Sequence, residues 1–188
     1  MLQENLINVQ AKIDAALARR TEEKITGNKV TLVAVTKNHP AEVITDAFNL
    51  GVPVIGENRV QEAKAKREIV GKGSGRWHLI GHLQTNKAKQ AVAIFDMIES
   101  ADSVHLMQAV DKEAAKAGKV QEILLQVNIA REEQKTGFSP EDYEAVVPEL
   151  DNFKNLHVRG LMVIAPAAEN SEDIRWVFAE GYKLYCKL

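Results

Sequence analysis

Residues 31–40 read TLVAVTKNHP, an apolar run of strand length that ends on a lysine where the chain has to turn. Leu32 to Thr36 shows no alternation of polar and apolar residues, so it reads as a strand of a helix-covered parallel sheet. Pro40 then stands where a first helical residue would. Val43, Ile44, Ala47 and Phe48 make one helix face, and Gly51 closes it. A strand followed by a helix is the resulting unit, with Lys37 at its turning point.

The same unit recurs along the chain. Val52 to Ile55 precedes a helix from Asn58 to Val70, Trp77 to Ile80 precedes Asn86 to Ile94, and Met97 to Glu99 precedes a helix over 104–117 that Gly118 ends. Ile123 to Asn128 is followed by Ser139 as an N-cap, Pro140 at N1 and two acids in the first turn, with Pro148 expected to stop or kink that helix. Val158 to Ile164 and a helix from Ser171 complete the series. An amphipathic helix marked by Leu2, Leu6, Val9, Ile13 and Leu17 comes before it. Strand-helix units at a pace of roughly 30 residues predict parallel α/β architecture, with the rhythm of a (β/α)8 barrel and an open doubly wound sheet as the alternative. No G-x-G-x-x-G or Walker loop follows any strand, and Gly71 to Gly75 precedes a strand, so it reads as a loop. Counted from Leu32, such a barrel lacks its last two strands. The expectation is a single domain over 1–188 that is truncated at its C-terminus.

Composition narrows the class. The 188 residues carry 24 Lys plus Arg against 26 Asp plus Glu, a formal charge of -2, so no strong field draws the chain to nucleic acid. Apolar runs such as Ile123 to Val127 fall far below the roughly 20 residues of a membrane span. MLQENLINVQ carries no basic region before an apolar core, so no secretory signal is read there. A soluble, cytoplasmic protein that binds no membrane is expected. Cys186 is the single cysteine, which excludes an internal disulfide and a thiolate cluster, and it reads as a reduced thiol on a helix.

In parallel α/β folds chemistry gathers where the strands end. Those positions are Lys37 and Asn38; Glu57, Asn58 and Arg59; His82, Gln84, Thr85 and Asn86; Ser100 and Asp102; Asn128; and Ala165 with Pro166. A partly desolvated lysine there can become a neutral amine, a nucleophile toward aldehydes and ketones. The competing reading is a structural ion pair between Lys37 and Glu57. Spacing alone leaves both open. His78 and His82 do not form a metal pair, because in a strand their separation is about 13 Å. Ser100 and Asp102 read as caps of the following helix, and Glu132 to Thr136 as a solvated loop. Trp176, Phe178, Tyr182 and Tyr185 read as packing residues.

The segments VAVTKNHP, IGENRVQEAKAK, WHLIGHLQTNK, QVNIAREEQKTGF and VRGLMVIAP, in this order and spacing, closely resemble the pyridoxal phosphate homeostasis protein family, small single-domain relatives of alanine racemase. The resemblance spans nearly the whole chain. It implies a TIM-like (β/α)8 barrel of PLP fold-type III without the racemases' extra β-domain, of which this chain carries about six strand-helix units. It implies pyridoxal 5'-phosphate (PLP) as cofactor, held on Lys37 as an internal aldimine, with Asn58, His82 and Met162 around it. Lys135 falls on a family motif with a role in passing PLP in or out, its plain alternative being a solvated loop lysine. The implied role is PLP (vitamin B6) homeostasis without catalysis, with PLP-requiring apo-enzymes as recipients and a monomeric full-length parent. The alternatives are a PLP-dependent racemase or decarboxylase and a barrel aldolase acting through Lys37 alone. The family's Ser-Met-Gly-Met-Ser-type strand end and Arg-Ile-Gly-Thr/Ser-type turn do not occur here. The phosphate site is therefore expected in strands beyond this sequence, with weakened PLP binding by this chain and free edges on its first and sixth strands.

Overall fold

The computed structural model describes residues 2–20, 27, 29–71, 73 and 75–188. The strands are β1 (Val33–Val35), β2 (Val54–Glu57), β3 (Arg76–Leu79), β4 (Met97–Ala101), β5 (Gln121–Gln126) and β6 (Leu156–Met162). They lie in sequence order in one sheet, every adjacent pair parallel. The helices are α1 (Leu2–Ala18), α2 (Ala41–Asn49), α3 (Val60–Val70), α4 (Ala88–Ile94), α5 (Val104–Lys116), α6 (Pro140–Val146) and α7 (Arg175–Tyr185). Each of α2 to α7 follows the strand before it, which is the connection parallel neighbours require.

Side-chain alternation along each strand decides where the core sits. Ile55, Trp77, Leu79, Ile98, Ile123 and Leu125 are fully buried, and they join Ile44, Ala63, Ala91, Leu106 and Tyr143 of the helices in one apolar cluster. The core thus lies between the sheet and its helical coat. Trp77 is its largest member, with the Arg67 guanidinium 4.9 Å from the ring centroid, a cation stacked on an aromatic face. The opposite strand faces carry a paired row of Gly56, His78, Met97 and Glu122, with polar side chains the helical side would not accept. Val33 and Val35 of β1 line a common recess with Met162 at the end of β6, so the sheet curls until its first and last strands face each other. The two are not hydrogen-bonded to one another among the described residues, and the free edges expected on the first and sixth strands are present.

Several details differ from what the sequence suggested. β1 is half-buried rather than buried on both faces, with Val35 48% exposed, because the strand lies at a sheet edge. α1 forms but contributes no buried residue. Ser103, not Ser100 or Asp102, caps α5: its Oγ accepts from the Leu106 N–H. Ser139 caps α6 as expected, and Pro148 lies in the 3-10 turn Val147–Asn152 into which α6 passes. On α7 the packing face is Val177, Gly181 and Leu184, while Trp176 and Phe178 are about half exposed. Cys186 is exposed and follows the last helical residue. Residues 72 and 74 of the Gly71 to Gly75 loop lie outside the described residues. No described helix is long and apolar enough to cross a membrane.

Candidate functional site

β1, β2, β3 and β6 bring their carboxyl ends together around a recess of about 360 Å³ lined by Val33, Val35, Lys37, Asn58, Ile80 and Met162, with Glu99 on β4 and Val163 and Ile164 beyond β6. Its walls are apolar with a few convergent polar groups, the usual make-up of a small-molecule site. Lys37 is the one cation among these lining residues. Val33, Val35 and Lys37 reach the same space because alternate residues of a strand share a face. At the base, a side chain on Gly56 would meet Ile80 Cδ1 and Val33 Cγ1 at 3.1 Å, so two aliphatic groups close over a glycine and form a smooth apolar floor. Gly81 keeps the next strand end tight: a Cβ there would come within 2.4 Å of the Asn58 carbonyl oxygen. Asn58 is thereby held against the turn after β3.

Lys37 itself is solvent-exposed, at the open side of the recess it lines. The competing reading, an ion pair between Lys37 and Glu57, is not met: Glu57 takes Lys66 instead. Glu57 is fully buried and accepts from Lys66 Nζ at 2.7 Å and from Thr36 Oγ1 at 2.7 Å. Lys66, on α3, also donates to the Thr36 carbonyl and to Glu62 Oε1, both at 2.7 Å. Glu62 Oε1 in turn accepts from the Asn38 N–H at 2.7 Å. Burial by itself would depress the Lys66 pKa, but the hydrogen bonds and charges of Glu57 and Glu62 outweigh it and hold the ammonium above the ordinary lysine value. The Lys66 hydrogen bond, aided by the Asn38 N–H, holds Glu62 below the usual carboxylate range against its partial burial. Glu57 Oε2 is buried and has no partner among the described residues. This network lies directly behind Lys37, on residues that the sequence left unassigned apart from Glu57. The Glu62-x-x-x-Lys66 spacing on a helix was its one sequence signal.

Of the other expected site residues, Asn58 and Met162 join Lys37 in the recess, and His82 does not. His82 is exposed, and its Nδ1 lies 2.8 Å from Asp102 Oδ2, an arrangement that orients the ring at the turn after β3. His78, on the inner face of β3, has its Nδ1 2.6 Å from Oε1 of Glu99, the carboxylate on the recess wall. His78 Nε2 is buried and without a partner among the described residues. Reading the sequence missed this pair, because Glu99 follows Met97 within a strand rather than beyond its end. Lys135 is not a freely solvated loop residue: it pairs with Glu132 and donates to the Ala165 carbonyl at 3.2 Å. It thus ties the loop after β5 to the segment leaving β6. Asn128 organises the same loop, donating to the Glu132 and Lys135 carbonyls. Among the described residues no group of three or more His, Cys, Asp or Glu side chains is placed to hold a metal ion.

A larger cavity, about 740 Å³, lies elsewhere, between α5 and α6 on the helical coat, where Asp102, Asp111, Asp142 and Glu149 line it together with Phe138 and Phe153. Asp111 is occupied by the Asn155 N–H and Asp142 by the Ser139 cap. The smaller strand-end recess holds the amine and sits where parallel α/β folds place their chemistry, so it is the candidate site.

The family model for the alanine racemase N-terminal domain matches residues 15–180. The pyridoxal phosphate homeostasis protein of Aquifex aeolicus (strain VF5) is 38% identical over 175 residues, covering 93% of this chain and 75% of that protein. Its namesake from Haemophilus influenzae is 31% identical over 190 residues, covering 100% of this chain and 78% of that protein. Among solved structures, PipY of Synechococcus elongatus PCC7942 with PLP bound superposes with a TM-score of 0.78 at 37% identity, over 94% of this chain and 80% of that one. An alanine racemase from Clostridium difficile 630 superposes at 0.71 with 16% identity, over 95% of this chain and 45% of that one, a likeness of fold. With a barrel-like sheet whose strand ends gather Lys37, Asn58 and Met162, and relatives matched along almost its whole length, the chain belongs to the pyridoxal phosphate homeostasis protein family.

Proposed function

We propose that this protein binds PLP in the strand-end recess, through a reversible Schiff base on Lys37, and serves PLP homeostasis by holding and releasing the cofactor without turning over a substrate. The observation that carries this reading is Lys37: it is the recess's one lining cation, and its side chain makes no hydrogen bond or ion pair among the described residues. PLP supplies an aldehyde: the amine nitrogen forms a bond to its carbon, the carbonyl oxygen leaves as water, and hydrolysis reverses both changes. The residues suit a flat aromatic guest. Val33, Val35, Ile80 and Met162 offer apolar and thioether surface, and Asn58 offers an amide able to donate and accept. The names of the relatives and the PLP bound to PipY support the assignment.

The test is a titration with PLP followed in the visible spectrum, with borohydride reduction and peptide mass mapping. A long-wavelength band, with the reduced adduct mapped to Lys37, is the expected result. An adduct spread over exposed lysines with no defined band would overturn it.

One observation favours a second reading, a racemase-like enzyme. Glu99, backed by His78, gives the recess a second group able to hold a proton, which acid-base chemistry at an amino acid would require. Incubating PLP-loaded protein with L-alanine in deuterium oxide separates the two. No deuterium is expected at the alanine α-carbon, and its steady incorporation would establish the enzymatic reading.

A further inference from the structure

We propose that Glu62 and Lys66, braced by Glu57, form a positioning clamp for Lys37, fixing the peptide units on both sides of it so that its amine enters the strand-end recess. This rests on the reading of Lys37 as the PLP-binding residue. None of the three touches the recess, so each acts through Lys37 rather than on a ligand.

Three features distinguish a clamp from an ordinary buried ion pair. First, an ammonium has three donors, and all three of Lys66's are spent at 2.7 Å, on Glu57, on Glu62 and on the Thr36 carbonyl. A cation serving only to neutralise carboxylates would have no call on a main-chain oxygen. Second, that carbonyl belongs to the peptide unit entering Lys37, while the N–H that Glu62 accepts belongs to the unit leaving it, at Asn38. Both backbone torsions of Lys37 are therefore bracketed by side chains of one helix. Third, the residue after Lys37 has positive φ: Asn38 stands at φ 62, in the left-handed region that non-glycine residues occupy at a cost and that Asn tolerates best. A turn of that kind needs holding where β1 is short, half-buried and at the sheet edge.

The consequence is directional. Lys37 is exposed and has no side-chain partner of its own among the described residues, so only its root can decide where its four-carbon stem points. A reactive amine whose root swings spends less time within bonding reach of its target, and small misplacements weaken a site strongly. Glu57 contributes by holding Lys66 and the Thr36 hydroxyl on one oxygen, which joins the end of β2 to the end of β1.

Glu62→Ala and Glu62→Gln test the clamp, because Glu62 is only partly buried and the amide of glutamine can still accept from the Asn38 N–H. Two readouts are taken: amide hydrogen exchange at Asn38, and the PLP affinity and pH midpoint of the long-wavelength band. Glu62→Ala is expected to speed exchange at Asn38, weaken PLP binding by roughly 10- to 100-fold and displace the pH midpoint, as loss of a hydrogen bond to a charged group would. Glu62→Gln is expected to restore most of both. Should Glu62→Ala fail to fold, the double variant Glu57→Leu with Lys66→Met takes its place, removing the cation from the Thr36 carbonyl without stranding a buried carboxylate. A folded variant of either kind with wild-type affinity and pH midpoint, or a Glu62→Gln protein no better than Glu62→Ala, overturns the clamp. If the unaltered protein traps no PLP on Lys37, the functional reading fails instead, and Asn38 exchange still reports whether Glu62 holds that turn.

Discussion

Lys37→Ala is expected to abolish the long-wavelength band and the borohydride-trapped adduct while leaving thermal stability nearly untouched. The two halves of this expectation have separate causes. On the proposed reading PLP binding rests on one amine, since no other cation lines the recess and an alanine can form no imine. Stability does not rest on it, because the side chain is exposed and makes no hydrogen bond or ion pair among the described residues. Substitutions at such positions change stability by about 0.5 kcal/mol or less. Lys37→Arg is the sharper companion: it keeps the charge and most of the stem, yet a guanidinium that stays protonated cannot act as an amine nucleophile. Spectral titration and calorimetry on the three proteins decide it. A Lys37→Arg protein that still gives the band would remove the amine from the mechanism, and a large drop in melting temperature would show that Lys37 has a structural partner.

That separation between a free lysine and a committed one could not be read from the sequence, and the reason is physical. The parallel strand-helix rhythm was legible because each strand is a short apolar run and each helix repeats its apolar residues on one face. Lys37 and Asn58 were legible as strand-end residues for the same reason, whereas Met162, inside the sixth apolar run, was pointed to only by the family resemblance. What the sequence could not rank was which lysine Glu57 would choose. Lys37 is near it only if strand ends are compared across the sheet, whereas Lys66 returns to it because α3 folds back over β2, placing Lys66 Nζ within 2.7 Å. The pairing of His78 with Glu99 escaped notice in a similar way: both sit inside strands rather than beyond their ends, and only the pairing of β3 with β4 brings them within 2.6 Å. Trp176 and Phe178 of α7 misled in the other direction: size suggests burial, but the turn of the helix hands the core to Val177 and Leu184 and leaves these two about half exposed.

Removing either half of the buried pair should cost far more than any surface change. Glu57 is 0% and Lys66 8% exposed at the side chain, so Glu57→Ala or Lys66→Ala strands an opposite charge in the interior, a loss of about 3–5 kcal/mol. Replacing both, as Glu57→Leu with Lys66→Met, should recover most of that loss, since two charges need no longer be desolvated and the unpartnered Glu57 Oε2 disappears. The pH dependence follows from the shifts on Lys66 and Glu62. Lys66 titrates above the ordinary lysine value in the folded protein, so its contribution is complete below about pH 10.4 and is lost as pH rises through the folded value. Glu62 titrates below the ordinary carboxylate value, so its contribution is complete above about pH 4.3 and is lost as pH falls through the folded value. Urea unfolding of the unaltered protein and Lys66→Ala should therefore show a gap that is flat through neutral pH and narrows at both extremes. A single-site loss below about 1 kcal/mol would place the pair in the class of solvent-screened surface bridges, and the double variant faring no better than the single ones would show that the pair's hydrogen bonds to Thr36, not its charges, hold β1 to β2.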